Sequence, residues 1–100
     1  MRIAVDVMGG DHGCGVVIDG VKLALHADEQ IKELYLVGQE EEIHAAMTRS
    51  RWRDSRVRIF HASEVLTMED KPVLALRRKK DCSIARAVDL VKEDKADAVI

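Results

Sequence analysis

The stretch Val5 to Gly15, VDVMGGDHGCG, gathers four of the chain's six glycines with two aspartates, a histidine and a cysteine. Those types at that spacing allow three kinds of chemistry and one structural alternative. Gly9 and Gly10 can take positive φ and present backbone N–H groups with no Cβ in the way, a cradle for phosphate or acyl phosphate. Asp6, Asp11 and His12 carry the carboxylate and imidazole donors that suit several divalent ions. His12 and Cys14 permit a thiolate–imidazole pair. The alternative is a strand-to-helix turn in which Asp11 caps the helix and His12 is hydrogen-bonded locally. The pattern is not G-x-G-x-x-G, so the dinucleotide fingerprint is not met.

A second group lies far along the chain. Arg77, Arg78 and Lys80 belong to RRKKDCS, which ends at Ser83. Arginine binds phosphate through two parallel hydrogen bonds, so this run could reach an anion, with Ser83 capping the helix that follows. The same run also reads as a solvated helix end. His61 and Ser63, in HASEV, come directly after an apolar run and are reachable at a strand end, although packing within a loop fits them equally.

These residues need elements to hold them. Arg2–Val7 reads as a strand and Val16–Ala27 as a helix with Val17, Val21, Ala24 and Leu25 near one face. Gly20 inside that helix hints at close packing. Leu34–Gly38 reads as a second strand, and EEEIHAAMTRSR as a helix with Glu40–Glu42 at its positive end and Arg49 and Arg51 at the other. Arg56–Phe60 reads as a third strand, Pro72–Arg78 as a helical turn, Ser83–Glu93 as a helix, and Ala96–Ile100 as the start of a fourth strand. Strands alternating with helices mean a parallel sheet covered on its faces, an α/β fold. Ligands of such sheets sit beyond the carboxyl ends of the strands, where the glycine stretch falls. The helix that follows turns its N-terminus toward the same place, which favours an anion.

Composition narrows the classes. The chain is 100 residues long, 47% hydrophobic and 34% charged, which suits a folded domain or part of one rather than disorder. Sixteen basic against eighteen acidic residues give a net charge of −2, and three aromatics give no base-stacking surface, so nucleic acid is not expected. Asp6 interrupts the first apolar run before a signal-peptide core could form, and no run reaches the length of a membrane span. Two distant cysteines form no CxxC pair, as expected of a reduced cytoplasmic protein.

MRIAVDVMGGDHG, LVGQEEEI and the run from RIFHASEV through KPVLALRRKKDCS to ADAVI together resemble the PlsX family of bacterial phosphate acyltransferases. MGGDH and KPVLALRRKKDCS are the most specific parts of the resemblance, which covers essentially the whole chain in order and spacing. The sequence departs from the family at Val7, where alanine is usual, at Gly13-Cys14, where Ala-Pro is usual, and at Cys82, where serine is usual. Cys14 thus fills a place that the family does not give to cysteine, which counts against the thiolate reading.

The resemblance implies acyl transfer from an acyl carrier protein thioester to inorganic phosphate, giving acyl phosphate for phospholipid synthesis, without metal or cofactor. It implies a Rossmann-like three-layer α/β/α sandwich with a mostly parallel sheet, a homodimer, and a cytoplasmic or membrane-peripheral place next to a membrane glycerol-3-phosphate acyltransferase. Gly9, Gly10, Arg77, Arg78, Lys80 and Ser83 are then expected at phosphate and substrate, with Asp11 and His12 orienting groups or exchanging protons. Family members are longer, so residues 1–100 are expected to be the N-terminal part of the domain and inactive by themselves. A metal-dependent phosphate-ester hydrolase and a non-catalytic binding or assembly fragment are the alternatives.

Overall fold

The computed structural model describes residues 1–8, 14–64 and 81–100, with Cys14 by its backbone alone. Four strands, β1 (Arg2–Asp6), β2 (Glu33–Gly38), β3 (Val57–His61) and β4 (Ala98–Val99), alternate with helices α1 (Cys14–Ala27), α2 (Glu40–Arg49) and α3 (Ser83–Lys92). All pairings are parallel, in the order β3-β2-β1-β4. Ile3 lies opposite Leu34 on one side and Ala98 on the other, and Gly38 opposite His61 closes the far pairing. The α/β expectation therefore holds.

Alternation along the strands divides the apolar residues between two faces. Ile3, Val5, Leu34 and Leu36 form one core with Ile18, Val21 and Leu25 of α1 and Ile43 and Ala46 of α2. Ala4 and Val37 turn to the other face and meet Ala87 and Leu90 of α3, with Ala62 and Ala96 beside them. Among the described residues, two helices on one face and one on the other make three layers. The alanines on the α3 side leave room for that helix to approach the sheet.

The observed helix ends differ from those expected, for identifiable reasons. α2 stops at Arg49 rather than Arg51 because Arg51 takes φ 51. The Arg51 amide then donates to Thr48 O (3.1 Å) and the Trp52 amide to Met47 O (3.1 Å), the paired bonds of a Schellman cap. α3 ends the same way: Asp94 has φ 60, its amide donates to Val91 O (3.1 Å), and the Lys95 amide donates to Leu90 O (2.9 Å). Ala96 also donates to Leu90 O, so pairing in β4 begins only at Ala98. α1 begins at Cys14, two residues before the expected start. Gly20 does not mark close packing, since a Cβ there would meet nothing within 4 Å. The helical turn expected over Pro72–Arg78 lies outside the described residues.

Two arginines tie the fold together at the amino edge of the sheet. Arg56 donates to Leu25 O (2.7 Å), Asp28 O (3.2 Å) and Ile31 O (3.2 Å), and it also holds Asp54 at 2.9 Å. It therefore joins the end of α1, the turn into β2 and the start of β3. Arg2 reaches Asp94 O (2.8 Å) and pairs with Asp97 at 3.1 Å, which secures the entry to β4.

Candidate functional site at the carboxyl edge of the sheet

Connections run outward from β1 to β2 and β3, and the chain then returns to place β4 on the other side of β1. The strand order reverses between β1 and β4, and the crevice at such a reversal is where open α/β sheets bind ligands. The glycine stretch follows β1 directly and so leaves from this point.

Hydrogen bonds define the exit from β1. The Asp6 amide donates to Ile100 O (3.1 Å), and the Val7 amide donates to Val37 O (3.1 Å), so both neighbours of β1 hold its end. Asp6 Oδ1 then accepts the Met8 amide at 3.0 Å, an Asx-turn arrangement that starts the bend. Gly38 is required beside it. A Cβ at that position would come within 2.7 Å of Met8 Cγ and 2.8 Å of Val7 Cγ2, so only glycine lets β2 end this close to the chain entering the glycine stretch.

The ends of the other elements are joined to one another. His61 Nδ1 accepts the Glu40 amide at 3.2 Å, which makes this imidazole an acceptor for the first turn of α2. Gln39 Nε2 donates to Ser63 O (3.3 Å). His61 and Ser63 are exposed, as expected of residues at a strand end. The Ser63 amide donates to Asp81 Oδ2 at 3.0 Å, and its hydroxyl donates to the same oxygen. The Glu64 amide donates to Asp81 O (3.1 Å), the Asp81 amide donates to Glu64 Oε1 (3.3 Å), and Glu64 and Cys82 form a parallel bridge. The two chain stretches on either side of residues 65–80 are therefore clasped together at the carboxyl end of β3.

Asp81 is the most perturbed acid here. The hydroxyl and amide of Ser63 hold its carboxyl below the usual carboxylate range, helped by the charge of Arg86 and then His61, against partial desolvation. Arg86 Nε lies 3.3 Å from Asp81 Oδ1, and its guanidinium sits 4.9 Å from the centroid of the Phe60 ring. The aromatic contact and the ion pair place this arginine at the end of β3.

Electrostatics at this edge are uneven. All three described helices begin here, with the positive ends of their dipoles toward the edge. Glu40, Glu41 and Glu42 occupy the first turn of α2, whereas the first turns of α1 and α3 hold no acidic residue. The first turns of the two helices flanking the β1–β4 crevice thus carry no acidic side chain, which suits an anion there.

Of the residues singled out from the sequence, Asp6, His61, Ser63 and Ser83 are described at this edge. Ser83 is 3% exposed and is the first residue of α3, while Cys82 holds the cap position with φ −76 and ψ 157 and makes no side-chain cap bond. Ser83 does not cap the helix, because the chain is still extended at Cys82 and turns helical only at Ser83. Gly9, Gly10, Asp11, His12, Arg77, Arg78 and Lys80 lie outside the described residues. Among the described residues no group of three His, Cys, Asp or Glu side chains could hold a metal ion, and no helix is long and apolar enough to cross a membrane. Sequence reasoning missed Asp81, Glu64 and Arg86. Asp81 stood in KKDCS just ahead of a helix, but nothing local announced a partner 18 residues earlier.

Comparison with known proteins bears on the whole chain. A phosphate acyltransferase of Syntrophomonas wolfei is 48% identical over 101 residues, covering 100% of this chain and 31% of that protein. Phosphate acyltransferases of Akkermansia muciniphila (44% over 100 residues, 29% of its length) and an Exiguobacterium species (46% over 102 residues, 30% of its length) also match 100% of this chain. The chain therefore spans about 30% of the length of the curated relatives it matches. The family described as "Fatty acid synthesis protein" matches residues 1–100, from the first strand to the last, and the chain belongs to that family.

Proposed function

We propose that the protein acts in transfer of an acyl group from an acyl carrier protein thioester to inorganic phosphate, giving acyl phosphate for phospholipid synthesis. The observation that carries this reading is the likeness, along all of this chain, to proteins named phosphate acyltransferase. The crevice between β1 and β4 supports it, since the first turns of the two flanking helices hold no acidic residue.

The chemistry asks little of a protein nucleophile. A phosphate oxygen attacks the thioester carbonyl, the C–O bond forms, and the tetrahedral oxyanion collapses with cleavage of the C–S bond. A thiol of pKa about 8.5 leaves readily as thiolate and takes a proton afterwards. What the site supplies is position for an anion and stabilisation of the oxyanion. On this reading Gly9 and Gly10 give amides to the anion, and Arg77, Arg78 and Lys80 meet phosphate, with Ser83 at the start of α3 beside them. Asp11 and His12 orient phosphate or carry protons. No metal or cofactor takes part. The protein works as a homodimer in the cytoplasm or at the membrane surface, and a membrane glycerol-3-phosphate acyltransferase consumes its product.

Phosphate-dependent release of the carrier thiol from long-chain acyl carrier protein tests the reading in the full-length protein. Release that rises and saturates with phosphate is expected. A folded preparation that releases no thiol would overturn it.

A further inference from the structure

Trp52 stands where α2 turns toward β3, at the amino ends of the strands and thus at the opposite edge from the β1–β4 crevice. It packs half-buried against the core beneath α1 and α2 and has a depression on each side. One, of about 510 Å³, combines Met47 and Ile59 with His44, Arg51 and Arg53. The other, of about 390 Å³, combines Leu23 with Lys22, His26 and Arg53 and is also lined by the paired Asp54 and Arg56. Apolar side chains and basic ones share both hollows, and Lys22, His26, His44, Arg51 and Arg53 are exposed.

The positive charge here is local, because the chain as a whole carries −2. Asp54, which lines the second hollow, is paired with Arg56 at 2.9 Å, and Asp19 accepts the Ser50 hydroxyl at 2.9 Å, which leaves its charge in place. Among the described residues no hydrogen bond or ion pair engages the guanidinium of Arg51 or Arg53. Arg49, in the last turn of α2, is accounted for by the helix dipole, but that effect fades within the turn and does not cover Arg51 and Arg53. Arg51 moreover occupies a left-handed position, φ 51, that glycine would fill with less strain.

We propose that this surface docks an acidic segment of a partner protein, with apolar side chains of that segment entering the hollows beside Trp52. Charge complementarity favours such a partner, and paired hollows suit separate apolar anchors. A bilayer surface would call for an aromatic side chain that protrudes, whereas Trp52 is half-buried between two depressions. A nucleic acid would call for a longer basic track than these side chains provide. The surface lies at the edge of the sheet opposite the β1–β4 crevice, and its test is independent of the proposed acyl transfer.

Trp52 is the chain's single tryptophan, so its fluorescence reports from the surface itself. The probe is a synthetic peptide in which glutamate pairs alternate with leucine and phenylalanine, set beside a peptide with lysine in place of glutamate, a short DNA duplex and phosphatidylglycerol vesicles. A saturable change in Trp52 emission with the acidic peptide is expected. Affinity should fall about tenfold or more in Arg51→Gly and further in Arg51→Glu/Arg53→Glu. Arg51→Gly suits the backbone and keeps the fold, so weaker binding in that variant is not a folding defect. The proposal is overturned if the acidic peptide gives no saturable change or the lysine peptide binds as well. It is equally overturned if only DNA or vesicles respond, or if both variants bind the acidic peptide like the parent.

Discussion

One oxygen of Asp81, Oδ2, accepts both the hydroxyl and the backbone amide of Ser63, the amide at 3.0 Å. The two residues are 18 apart in sequence, and their bond closes the stretch that carries Arg77, Arg78 and Lys80. Hydrogen bonds to the ionised form hold the Asp81 carboxyl below its ordinary value of 3.8. A lowered folded-state pKa means stability that is present above that ordinary value and is lost as pH falls through the lowered one. Asp81→Asn keeps an acceptor oxygen but removes the charge. At neutral pH it should cost on the order of 1 kcal/mol, reduced from the range for charged bonds because the side chain is 42% exposed. It should also flatten the acid-side loss of stability below about pH 4. Urea midpoints of both proteins across that range check this, and parallel curves would show that Asp81 contributes no charge-dependent stability.

Gly38 should not tolerate even a methyl group. Its Cβ position lies 2.7 Å from Met8 Cγ and 2.8 Å from Val7 Cγ2, and Val7 is fully buried. Gly38→Ala should destabilise by about 1–3 kcal/mol through overpacking. Met8→Ala in the same chain should recover part of the loss, because it removes one of the two clashes. Denaturant unfolding of the single and double variants tests the coupling, and strictly additive losses would rule it out.

Arg56 and Arg58 are neighbours with different work. Arg56 serves three carbonyl oxygens and Asp54, whereas Arg58 makes one exposed pair with Glu33 at 3.2 Å. Arg56→Met should therefore lower the urea midpoint clearly more than Arg58→Met, since it strands carbonyls at the end of α1. Equal midpoints would mean that water replaces the guanidinium without loss.

If Arg77, Arg78 or Lys80 meets phosphate, alanine at the contacting position should raise the phosphate half-saturation of the full-length enzyme about tenfold or more, the value of a charge-assisted hydrogen bond. Activity should persist in chelator. Unchanged kinetics in all three variants would return the run to a solvated helix end, and activity lost together with one equivalent of metal would favour Asp6, Asp11 and His12 as ligands.

Much of the architecture was legible from local pattern. Ile3, Val5, Leu34 and Leu36 announced buried strands, and Ile84, Ala87, Val88 and Val91 announced the helix before β4. Glycines behind the first strand marked the edge where a parallel sheet binds ligands. Such signals are local because strand alternation and helical periodicity repeat within a few residues. Only the tertiary structure decided that β4 returns beside β1, that Gly38 presses on Met8, and that Ser63 meets Asp81. Those contacts join residues far apart in the chain, and their geometry arises only once the two cores have set the sheet between its helices. The same reason explains Trp52. The sequence RSRWRD showed charge around an aromatic ring, but the left-handed turn at Arg51 and packing against the core are what set hollows on both sides of it.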